Sequence, residues 1–246
     1  MTPPTVTVTA MSARGLVRPG NEDRVGVFGW LAPAEASGPV TVRQTVEAPL
    51  VVAVADGLGG HLAGEVASTR AVEAWQVAPP ADDDAVADRF RSIHADLLAA
   101  GASRPDWDGM ATTLVVAVVC ADEVFVAGVG DSRAYHVEPG FVEQLTADDL
   151  SPSGSGELTQ VLGGRPGQEI SPGVMRSELR DGMRLLLCTD GLHSYLEQAT
   201  LRALVSLPDP TSAVRELRDA VYAEGAPDNV SICLVDITTN GSRSAP

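Results

Sequence analysis

Apolar residues along the chain fall into two periods. Near-continuous β-branched runs at Thr5–Thr9, Leu50–Ala55, Leu114–Cys120, Val124–Val129, Arg184–Cys188 and Val230–Ile237 predict strands. Two of them, Leu114–Cys120 and Val124–Val129, are separated only by Ala121-Asp122-Glu123 and read as a hairpin. Between the strands the period changes. Val86, Phe90, Ile93 and Leu97 recur at helical spacing, as do Val214, Leu217 and Val221 after a Pro-Thr start. Leu62, Val66, Val72 and Trp75 form a rougher stripe with alanines between them. Helical patterns come in blocks between groups of strands, which favours an α+β fold with antiparallel sheets over a doubly wound parallel one. Ala32–Pro49 and Thr146–Gly156, the latter with an SPSGSG core, read as loops. No repeat and no linker divides the pattern, so residues 1–238 are expected to form one domain and residues 239–246 a disordered tail.

Composition narrows the chemistry. The 246 residues carry 33 acids against 17 bases, a formal net charge of -16, and every base is arginine. Without lysine, a P-loop lysine, a kinase strand lysine and Schiff-base chemistry are all excluded. The acidic balance argues against a nucleic-acid partner and for an inorganic cation. No apolar run reaches the roughly 20 residues of a membrane helix, and MTPPTVTVTA lacks the plan of a signal peptide. A cytoplasmic protein without membrane attachment is expected. Cys120, Cys188 and Cys233 sit inside apolar runs with no CxxC spacing, and read as small buried hydrophobes.

Carboxylates recur at strand ends or beside glycine: Glu22 and Asp23 in NED, Asp56 in ADG, Asp131 in GDS, Asp190 in TDG, and Asp228 in PDN. Taken singly, Asp-Gly and Asp-Asn are ordinary turn dipeptides. If several converge, their repulsion in a poorly solvated place becomes tolerable with a hard, oxygen-seeking cation such as Mg2+ or Mn2+.

Six blocks occur in order, RPGNED, VADGLGGHLAGEVAS, GMATTL, GDSRAY, LLLCTDGL and PDNVSICLV, spanning residues 18 to 235. Together they resemble the metal-dependent Ser/Thr protein phosphatases of the 2C type in their compact bacterial form. The resemblance implies a four-layer α-β-β-α sandwich, two central antiparallel sheets flanked by helices, with a metal centre at one end. It implies Asp56 as the ligand bridging two ions, with Gly57 offering its carbonyl oxygen. Asp190 and Asp228 match ligands of the first ion, and Glu22 or Asp23 holds the second. Asp131, with Asp190, matches the place of a third, weaker ion. Arg18 matches the phosphate-binding arginine. The implied reaction is hydrolysis of phosphoserine or phosphothreonine by a water bridging the ions, without a covalent intermediate. Phosphorylated proteins, Ser/Thr kinases among them, are the implied partners, and a monomer is expected.

The remaining motif residues have plainer readings. His61 reads as structural, and Leu58 stands where some relatives carry a general-acid histidine, leaving solvent to protonate the leaving group. His94 and His136 read as surface or core residues. Thr112 and Thr113 read as strand-entry packing, and Arg133 as structural, within reach of a carboxylate of the site. TADDLSPSGSGELTQVLGG is shorter than the flap of relatives and lacks its histidine. Two other classes are compatible with clustered aspartates: a two-metal phosphodiesterase or nuclease, and a non-catalytic relative that binds phosphosites.

Overall fold

A computed structural model describes residues 3–59, 62–76, 80 and 82–239. The N-terminal half runs β1 (Thr5–Ala13), β2 (Arg24–Val27), β3 (Trp30–Leu31), β4 (Val40–Thr45), β5 (Leu50–Ala55), β6 (Gly57–Leu58), α1 (Leu62–Trp75) and α2 (Asp83–Ser103). A second run of strands follows: β7 (Ala111–Thr112), β8 (Leu114–Val119), β9 (Glu123–Val129), β10 (Arg133–Glu138), β11 (Phe141–Gln144), β12 (Leu162–Gly163), β13 (Gly173–Glu178) and β14 (Arg184–Cys188). The chain closes with α3 (Asp190–His193), α4 (Gln198–Val205), α5 (Pro210–Ala223) and β15 (Val230–Thr238).

Two six-stranded antiparallel sheets dominate, in the orders β11-β10-β14-β15-β1-β4 and β13-β9-β8-β5-β2-β3. The central strands β5, β8 and β14 are apolar at nearly every position because both of their faces are buried. In β8, Val115, Ala117 and Val119 face the core between the sheets, while Leu114, Val116 and Val118 face α1 and α2. In β14, Leu185 and Leu187 face inward, and Leu186 and Cys188 face the helices α4 and α5. Three apolar layers therefore separate four layers of structure, in agreement with the α+β sandwich. The stripe Val86, Phe90, Ile93 and Leu97 is buried along α2, with Phe90 tilted against Trp75 of α1. Asp82 caps α2 by accepting from the Ala85 amide, and Asp209 caps α5 by accepting from the Ser212 amide.

Several local expectations change. The first strand continues past Thr9 to Ala13, because Ala10–Ala13 pair with Val230–Cys233 across the sheet. The expected loop Ala32–Pro49 contains β4, an edge strand on β1 whose outer residues are exposed. Its alternation, Val-Thr-Val-Arg-Gln-Thr, is the period of a half-wet edge rather than of a loop. The strands β2, β10, β11 and β13 and the helices α3 and α4 lack the long apolar runs that flagged the others. Thr146–Gly156 contains no strand or helix apart from the isolated bridge Leu150–Leu158. Cys188 and Cys233 are buried, whereas Cys120 lies just past the end of β8 and is only half-buried. His61 and the tail from residue 240 lie outside the described residues. Among the described residues no helix is long and apolar enough to cross a membrane.

Candidate metal centre

Strand register gathers the carboxylates. Arg24 pairs with Ala55, so Asp23 at the entry to β2 and Asp56 at the exit of β5 share one end of a sheet. Cys188 pairs with Ile232, bringing the exit of β14, with Asp190, beside the entry to β15, with Asp228. Arg133 pairs with Cys188, which adds the β9–β10 turn and Asp131. Elements remote in sequence thus deliver Asp23, Asp56, Asp131, Asp190 and Asp228 to the same end of the sandwich.

Arg18 joins them, donating from Nη2 to Asp228 Oδ2 at 2.6 Å. It also feels the charges of Asp56 and Glu22. Its loop is pinned by Asn229, whose side-chain amide donates to the carbonyls of Arg14 and Gly20 while its Oδ1 accepts from the Glu22 amide. Asp56 is tied through its backbone: its amide donates to Thr113 Oγ1 at 3.0 Å, and its carbonyl accepts from Thr112 Oγ1 at 2.7 Å. Thr112 and Thr113 are the strand-entry packing expected of them.

The glycines of the two Asp-Gly pairs permit close backbone approach. A Cβ on Gly57 would overlap the Gly64 carbonyl of α1, and one on Gly191 would overlap the Asn229 carbonyl. Gly64 in turn lies against Glu22 Oε2 and the Gly57 carbonyl, so Glu22, Gly57 and the first turn of α1 form one cradle.

Electrostatics carries the signature of crowded acid. Burial lifts Asp23 to about 7 against the opposing hydrogen bond from Thr189 Oγ1 at 2.9 Å. Burial, then the charge of Asp190, lifts Asp131 to about 6. Asp56 is raised well above the ordinary range by burial, and then by Asp23, Asp190 and Asp228. Asp190 is raised by burial and by Asp228. The charge of Asp190 is among the causes that lift Asp56, as expected of neighbouring carboxyls.

Among the described residues no three His, Cys, Asp or Glu side chains are gathered tightly enough to hold an ion as they stand. Asp228 is drawn to Arg18. The donor set nevertheless fits a hard dication. It is all oxygen, and Asp23 Oδ1 and Asp190 Oδ1 are buried without a hydrogen-bond partner.

Sequence reasoning overlooked Asn229, Thr189, Gly64 and His193. His193 Nε2 lies 3.0 Å from the Asp131 carbonyl oxygen, joining α3 to the β9–β10 turn. Burial, then the charge of Arg133, lowers its pKa to about 4, so the imidazole is neutral and donates. The adjacency of these four residues to the acid motifs was the only available signal. Arg133 requires a correction: it grips Asp148 of the shortened segment, from Nη2 to Oδ2 at 2.6 Å and from Nε to Oδ1 at 2.9 Å, and does not engage a carboxylate of the site. Asp149 next to it accepts from the Gly130 amide at 2.8 Å, so that segment fastens the turn carrying Asp131. His94 is a core residue, its Nδ1 accepting from the Gly163 amide, and His136 is half-buried.

The fold is a four-layer sandwich with an acid-rich end and one arginine among the acids. The model of the protein phosphatase 2C family matches residues 39–226, and the chain belongs to that family. It is 29% identical over 249 residues to the serine/threonine protein phosphatase PstP of Mycobacterium tuberculosis H37Rv, covering 93% of this chain and 44% of PstP. The chain therefore spans less than half the length of that relative. The serine/threonine phosphatase stp of Listeria monocytogenes serovar 1/2a is 28% identical over 257 residues, covering 93% of this chain and 95% of stp. The crystal structure of the PstP catalytic domain in complex with two manganese ions superposes with a TM-score of 0.77 at 28% identity, covering 96% of this chain and all of that one.

Proposed function

We propose that this chain is a Mg2+- or Mn2+-dependent phosphoprotein phosphatase acting on phosphoserine and phosphothreonine, with residues 1–238 as its single catalytic domain. The observation that carries the reading is the convergence of five aspartates at one end of the sandwich, with Arg18 on Asp228 and two buried carboxylate oxygens unpartnered. Family membership and the manganese-bound relative support it.

Asp56, the Gly57 carbonyl, Asp190, Asp228, and Glu22 with Asp23 would hold two ions, and Asp131 with Asp190 a third. When bound, the cations supply the positive charge that lowers the pKa of water toward neutrality and offsets charge on the phosphoryl oxygens. The chain's own work is positional. The strands hold the Asp backbones rigidly, and the Asp56 and Asp190 carboxyls, on releasing any proton to solvent, would serve as oxygen acceptors for the cations. Arg18 exchanges Asp228 for phosphate, its planar fork meeting two oxygens at once. The thiol of Cys188 is pushed far up by burial, which makes it a poor nucleophile and agrees with a route lacking a covalent phosphoenzyme. The proposed partners are phosphorylated proteins, including Ser/Thr kinases, met by a monomer.

The test is hydrolysis of a phosphothreonine peptide with Mn2+, with Mg2+ and with chelator, beside the Asp56→Asn variant. Metal-dependent turnover that Asp56→Asn removes is expected. A wild-type protein that leaves the peptide untouched with either ion refutes the reading.

A further inference from the structure

Resting on that reading, the structure assigns the metal centre an apolar rim: Leu16, Val17 and Tyr195 receive a hydrophobic side chain next to the phosphorylated residue of the substrate. Six large hydrophobic residues are exposed among the described residues: Leu16, Val17, Trp30, Phe141, Leu150 and Tyr195. Leu16 and Val17 are the most exposed of these, at 61% and 68%, and immediately precede Arg18. Tyr195, 37% exposed, is close enough to Asp228, Asp190 and Arg18 for its hydroxyl to feel all three charges. Half of the exposed large hydrophobics thus border one charged centre, where an isolated catalytic site would leave polar surface.

Their backbone is not a loose strap. The Leu16 amide donates to the Ala226 carbonyl at 2.8 Å, Arg14 Nη1 donates to the Arg18 carbonyl at 3.1 Å, and Asn229 Nδ2 holds the carbonyls of Arg14 and Gly20. Gly15, at φ +77°, lies directly against the carbonyls of Ala226 and Asp228, where no side chain fits. Residues 14 to 20 therefore form a fixed arch that presents two aliphatic side chains outward. An arch tethered this firmly, whose most apolar members stay wet, is preorganised for contact.

The occupant follows from geometry and charge. A phosphoresidue engaged by Arg18 places its chain neighbours about 3.8 Å per residue away along the substrate backbone, and Val17 and Leu16 are the exposed apolar residues that stand next to Arg18 on the arch. A surface with net charge -16 disfavours acidic flanks. The ligand class is therefore a phosphopeptide with an aliphatic or aromatic residue adjacent to the phosphoserine or phosphothreonine.

Two phosphothreonine peptides that differ only in carrying leucine or glycine on both sides of the phosphoresidue provide the test. With Mn2+, kcat/KM for the leucine peptide is expected to exceed that for the glycine peptide by about fivefold to tenfold, the effect of one partly buried aliphatic contact. In the double variant Leu16→Ser, Val17→Ser the ratio is expected to fall to about one. The ratio cancels any general effect of the substitutions on the centre. The single variant Val17→Ser, expected to give an intermediate ratio, serves if the double variant does not fold. Equal kcat/KM for the two peptides in the wild type, or a ratio that the substitutions leave unchanged, overturns the rim. If neither peptide is hydrolysed, the phosphatase reading fails by itself. Fluorescence-polarisation binding of the same pair as non-hydrolysable phosphonates then reads the rim: tighter leucine binding that the double variant loses supports it, and equal binding overturns it.

Discussion

Asp23 is the most enclosed acid of the centre, fully buried with one oxygen bonded to Thr189 and the other unpartnered. Its carboxyl titrates at about 7 in the fold and near its ordinary 3.8 in the unfolded chain. Between those values the folded state holds a proton that the unfolded state has lost, so stability falls as pH rises. Asp131, raised to about 6, acts with the same sign. Chelator-treated protein is thus expected to lose stability from about pH 4 to about pH 7, by on the order of a few kcal/mol. Scanning calorimetry that found a constant or rising Tm across that window would contradict the assignment. Mn2+ needs the ionised carboxylates, so its stabilisation should be larger at pH 8 than at pH 5.5. Arg18 yields a second expectation. Arg18→Lys keeps the charge and loses the fork, and should lower kcat/KM on phosphopeptides by about tenfold to a hundredfold, chiefly through KM. Unchanged steady-state kinetics would remove Arg18 from phosphate binding.

Among the elements, α1 is set by what it lacks. Gly64 lets its first turn close onto Gly57 and Glu22, whereas a Cβ there would meet the Gly57 carbonyl group at 2.8 Å and overlap Glu22 Oε2. Gly64→Ala should therefore destabilise by about 1–3 kcal/mol, as overpacking does, and weaken Mn2+ binding by moving Glu22. Gly173→Ala is the control: it lies in β13, meets nothing within 4 Å and has no positive φ. Denaturant midpoints that place the two variants together would show that the cradle is slack. The elements also mark how far periodicity could be read. The buried stripe of α2 and the hairpin β8–β9, with Val119 opposite Val124, follow from apolar spacing alone. β4 and β13 did not stand out, because edge strands mix exposed and half-buried positions and their identity depends on the neighbour they pair with.

For the molecule as a whole, the charge of -16 is the governing quantity. Many acids face few bases, and several of the most repulsive carboxylates are concentrated at one end of the sandwich. Raising NaCl from about 50 mM to about 500 mM shortens the screening length from roughly 14 Å to roughly 4 Å. The chelated protein should consequently gain a few degrees in Tm. Mn2+ at a hundredfold excess over its dissociation constant should add about 2.7 kcal/mol. Insensitivity of the chelated protein to salt would mean that self-repulsion is already neutralised by protonation at the centre.

The long apolar strands β1, β5, β8, β9, β14 and β15, the helical stripes of α1, α2 and α5 and the candidate acids Glu22, Asp23, Asp56, Asp131, Asp190 and Asp228 were legible in the chain, because apolar period and Asp-Gly punctuation are local properties. Their convergence is not local. It depends on the registers Arg24–Ala55, Arg133–Cys188 and Cys188–Ile232, which join segments far apart in sequence. For the same reason tertiary structure alone decided that Asn229 pins the Arg18 arch, that Arg133 serves Asp148, and that Leu16 and Val17 stay exposed beside the acids. A hydrogen bond between residues two hundred positions apart leaves no period in the sequence; it exists only once the sheets have brought both partners to one end.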